Sequence, residues 1–145
     1  MSTITTEEEK LTSILVALLK REPGLSELMP FYTPFESAKK IKLPGVFIMV
    51  KRSEEAIANT GIYELEAEVE LRYLVKGTTD ERAMTYWRQI NECLTGTQLD
   101  VFADRLSEFR ADFIVHYVEF ADTEPSAREG ERHFALTLLL GCANL

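Results

Sequence analysis

The chain has 145 residues, enough for one domain with a buried core, and 46% of them are hydrophobic against 28% charged. Its net charge of −8 and sequence pI of about 4.8 argue against a general grip on nucleic acid or on an anionic membrane, both of which run on Lys and Arg. The polar, acidic start Met1 to Lys10 is no signal peptide, and the longest apolar runs, 14–19 and 135–140, are too short to span a bilayer. The expected place of work is therefore a cytoplasm, or something assembled there.

In chain order, Thr6 followed by Glu9 is a capping box, with Glu7 and Glu8 at the positive end of a helix dipole. Leu11, Ile14, Leu15, Leu18 and Leu19 then form one apolar stripe at helical spacing, stopped by Pro23-Gly24. Residues 25–44 read as an irregular arm. Pro30, Pro34 and Pro44 punctuate it, and it carries Phe31, Tyr32, Phe35, Lys39, Lys40 and Lys42. Val46 to Val50 reads as a buried strand, and Lys51 to Thr60 as a polar loop.

From Tyr63 the chain alternates strictly. Tyr63, Leu65, Ala67, Val69, Leu71, Tyr73 and Val75 face one way; Glu64, Glu66, Glu68, Glu70, Arg72, Leu74 and Lys76 face the other. A period of two predicts a long strand with one buried and one charged face. Thr78 with Glu81 marks a second helix start, and Ala83, Met84, Trp87, Ile90 and Leu94 give its stripe. Leu99, Phe102, Ala103, Leu106 and Phe109 mark a third, shorter helix. Phe113 to Phe120 is an aromatic and β-branched strand, 121–130 a polar loop, and Glu131 to Cys142 a final strand apolar enough to be central.

The expected architecture is one α+β domain over residues 1–145. Its antiparallel or mixed sheet has about four strands, with helices packed on one face, in the order α-β-β-α-α-β-β.

Candidate chemistry is sparse. The row Glu64, Glu66, Glu68, Glu70 spaces its charges roughly 7 Å apart, where repulsion in water is about half a kcal/mol. A solvated face carries it easily; the sharper readings are an aqueous opening or a basic partner. The four look alike, whereas acid–base catalysis needs two carboxylates in unlike environments. His116 and His133 come near each other if their strands form a hairpin, but no third metal ligand stands at a suitable spacing. Cys93 and Cys142 are read as reduced, buried thiols. The seven glycines are all isolated, so no phosphate loop is formed, and no nucleophile motif is present. No cofactor or metal is expected, and the chain is read as an assembly component rather than an enzyme. The basic cluster Lys39, Lys40, Lys42, Lys51 and Arg52 opposes the overall charge, which suggests that a basic edge of one subunit meets the acidic face of the next.

In size and element order the chain resembles the tail terminator (tail completion, minor tail protein U-like) proteins of long-tailed bacteriophages. The resemblance runs from the helix at Glu7 to Glu22 and the strand opened by Leu43-Pro44-Gly45-Val46-Phe47-Ile48. It continues through the alternating strand Ile62 to Lys76, the helix Thr79 to Leu94, and the two strands within Phe113 to Leu140. It implies a homo-oligomeric ring of six subunits in the virion neck, assembled in the host cytoplasm. The ring would cap the tail tube, end its polymerisation and present a head-joining surface. The implied partners are tail tube protein, the head–tail connector and, in a contractile tail, sheath protein, with DNA only passing through the lumen and no membrane.

On that reading Glu64, Glu66, Glu68 and Glu70 face the lumen or a partner. Phe31, Tyr32, Phe35, Lys39, Lys40 and Lys42 form a contact arm, and Asp122, Glu124, Arg128 and Glu129 an axial loop. The alternatives are another head–tail connector or neck protein, or a small dimeric adaptor.

Overall fold

The computed structural model describes residues 6–28, 31–34, 42–52, 62–95, 106–108, 112–121 and 131–144. Helix α1 spans Glu7–Lys20, a 3-10 turn Pro23–Leu28, strand β1 Gly45–Arg52, β2 Tyr63–Leu74, helix α2 Asp80–Thr95, β3 Phe113–Ala121 and β4 Glu131–Asn144. The strands form one sheet in the order β1-β2-β4-β3, and every neighbouring pair is antiparallel. This is the expected α+β sheet with helices on one face, and β4 does lie inside it.

Local chemistry sets the helix starts. Thr6 Oγ1 accepts the Glu9 N–H at 3.2 Å, so an orphan donor of the first turn is satisfied. At α2 the cap is Thr79, whose Oγ1 accepts the Arg82 N–H at 3.2 Å, one residue later than the Thr78–Glu81 pairing read from the sequence. Asp80 explains the shift. Its carboxylate takes the Tyr73 hydroxyl at 2.9 Å and Arg132 Nη1 at 2.6 Å, which pins the first turn to the ends of β2 and β4.

The core lies between the helices and one sheet face. Leu11, Ile14, Leu15, Leu18 and Leu19 of α1 pack on β1 and share one buried cluster with its Val46, Ile48 and Val50 and with Leu65, Ala67, Val69 and Leu71 of β2. Farther along, Trp87 of α2 stacks on Phe134 of β4 with ring centroids 5.7 Å apart, and Phe134 stacks on Tyr73 of β2 at 6.1 Å. Burying aliphatic side chains of this size contributes about 1.5–3 kcal/mol each before chain entropy is set against it.

Several expectations are corrected. β1 is an edge strand and only half-buried: Phe47 points away from the core and Met49 is 57% exposed. Its apolar run conceals an alternation in which the outward positions are also apolar. α1 ends at Lys20 rather than Glu22, and Pro23–Leu28 is a 3-10 turn whose Leu25 and Leu28 reach the core. β2 ends at Leu74, leaving Val75 exposed in the turn.

The start of the arm is ordered against the sheet. Phe31 is buried in the core, and Tyr32 makes a short parallel bridge to β1, donating its N–H to Val46 O at 2.8 Å and accepting the Ile48 N–H at 2.9 Å. Of the expected third helix only residues 106–108 are described; Leu106 is buried, and Ser107 Oγ accepts the Val115 N–H of β3 at 2.9 Å.

Candidate interaction face

Because α1 and α2 cover one side of the sheet, the even-numbered residues of β2 stand on the other side, which no described element covers. The register places their neighbours. Glu70 lies between Phe47 and Ala135, Glu68 between Met49 and Thr137, and Glu66 between Lys51 and Leu139. Glu64 is opposite Gly141, which is opposite Tyr117.

The four glutamates do not share one environment. Lys51 Nζ reaches Glu66 Oε2 at 3.2 Å, a solvated pair with about 0.2–1 kcal/mol to give. Arg72 Nε bonds Glu70, whose side chain is only 12% exposed, and its guanidinium lies 4.5 Å over the Phe47 ring. Phe47 in turn stacks on Tyr32, with ring centroids 5.0 Å apart. Glu64 Oε2 accepts the Tyr117 hydroxyl at 3.0 Å. To reach it, the Tyr117 ring crosses β4 above Gly141, where a Cβ would come within 2.6 Å of the ring's Cζ. Burial first, and the Glu64 bond second, push the Tyr117 phenol up to about 12.

Glu68, in the middle, differs from the rest. It is hydrogen-bonded to Glu70 and, among the described residues, has no ion-pair partner. Burial first, then the negative charges of Glu70 and Glu66, hold its carboxyl above the usual range, with Lys51 pulling the other way. The expectation of four like carboxylates on a solvated face is therefore replaced by three partnered carboxylates and one whose charge is poorly compensated.

The remaining predicted residues separate clearly. Lys51 and Arg52 do not belong to a free basic edge. Lys51 serves Glu66, and Arg52 ties β1 to the start of α1, with Nη2 on Glu7 at 2.6 Å and Nε on Glu8 at 3.1 Å. Lys42 is exposed; its N–H donates to the Tyr32 hydroxyl at 2.7 Å, which holds it beside the outer edge of β1. Phe35, Lys39 and Lys40, and the loop residues Asp122, Glu124, Arg128 and Glu129, lie outside the described residues.

His116 and His133 do not meet. His116 sits at the bulge between Val115 and Tyr117, opposite the Gly141 end of β4, and His133 pairs with Arg72 at the other end. Eight residues of β4 separate those points, about 27 Å at strand rise.

Two further carboxylate clusters act as ties. Glu27 accepts the Tyr86 hydroxyl at 2.6 Å and Arg82 Nη2 at 2.8 Å, and the Tyr86 bond foremost holds its carboxyl below the usual range. That cluster fastens α2 to the 3-10 turn, as Asp80 fastens it to the sheet. Cys93 Sγ lies 3.7 Å from Glu22, while burial pushes the Cys142 thiol up to about 12, far from the thiolate a nucleophile needs.

The sequence reading missed the Glu64–Gly141–Tyr117 contact. Its available signal was Gly141 itself, an isolated glycine in the most apolar strand, where a close approach is the usual reason for losing a side chain.

Fold and face together define an α+β protein with a sheet covered by helices on one side and an acidic strand face on the other that no described element covers. No protein family model matches the chain, and no curated protein matches it. Its role must be read from its own residues.

Proposed function

We propose that the protein is a structural assembly component: a subunit of a ring that caps a bacteriophage tail tube, stops its polymerisation and offers the surface to which the head is joined. The observation that carries this reading is the acidic outer face of β2. α1 and α2 cover one face of the four-stranded sheet, and among the described residues no element covers the other, which is centred on Glu64, Glu66, Glu68 and Glu70. The order of elements in the chain supports the same reading.

Function of this kind needs shape and charge rather than a reacting group. The tyrosine–carboxylate–arginine clusters at Asp80 and Glu27 have their hydrogen bonds directed at one another, as befits ties between elements. An acidic surface is also suited to a passage for DNA, because it does not hold phosphates.

The test is to add the purified protein to polymerising tail tube protein of the same virion and to measure tube length by electron microscopy. The proposal expects shorter tubes with a ring at one end. Tubes of unchanged length with bare ends would overturn it.

A further inference from the structure

We draw no further inference here: the strongest candidate, the exposed apolar side chains where β2 turns into α2, Leu74, Val75 and Met84, carries nothing because nothing in the structure shows what covers them.

Discussion

Replacing Gly141 by alanine puts a methyl group where the Tyr117 ring lies, since a Cβ there would come within 2.6 Å of Cζ. The ring must swing off β4 and give up its 3.0 Å bond to Glu64. Losing that bond costs about 1 kcal/mol for a partly exposed pair, and displacing a packed ring adds about 1–2 kcal/mol. A total near 2–3 kcal/mol corresponds to a drop in Tm of roughly 5–10 °C for a domain of this length. Urea denaturation of G141A measures the cost directly.

The background variant Tyr117→Ala makes the reasoning strict. With the ring gone, alanine at 141 meets no obstacle and gains the ordinary strand advantage over glycine, about 0.5–1 kcal/mol. The substitution should therefore change sign, destabilising the wild type and neutral or stabilising in Y117A. An equal cost in both backgrounds would refute the account of Gly141.

Three other expectations concern separate parts of the fold. Glu68 has its folded-state pKa raised, so its contribution is fully present below the ordinary carboxylate range and is lost as pH rises through the raised value. E68Q should thus be more stable than the wild type at pH 7, and the difference should shrink toward pH 4 in paired urea titrations; a constant offset across that range would count against it. T6A removes the acceptor for the Glu9 N–H and should cost about 1 kcal/mol, read as a lower urea midpoint at unchanged slope. I48A empties a fully buried position between β1 and α1 and should cost about 2–5 kcal/mol by the same assay.

The fold was legible wherever a period was legible. The alternation from Tyr63 located β2 and its buried face, and the stripe Leu11 to Leu19 located α1, because a wrong register would expose every apolar side chain of either element. β1 was harder: Phe47 and Met49 stand outward yet are apolar, so the strand's two faces do not differ in hydrophobicity. The 3-10 turn at Pro23–Leu28 has no period of its own and is held by tertiary contacts, including the bond from Tyr86 to Glu27 across 59 residues.

The acidic row of the candidate site could be read directly from the sequence; its internal differences could not. Glu70 and Arg72, two apart on one strand, are the pair that the spacing itself places on one face. That Glu66 has Lys51 and Glu64 has Tyr117 depends on which strands are adjacent and in what register, which one-dimensional spacing does not carry. The same limit paired His116 with His133, which a hairpin would permit and the observed register forbids.

The most direct test of the central claim is the solution mass of the wild-type protein, followed by light scattering across protein concentration at low and high salt. Assembly through charged faces predicts a closed ring of several subunits, six on the tail terminator resemblance, that loosens as salt rises. A monomer or a dimer that keeps the same mass at every concentration and salt, with tail tube protein present or absent, would contradict it.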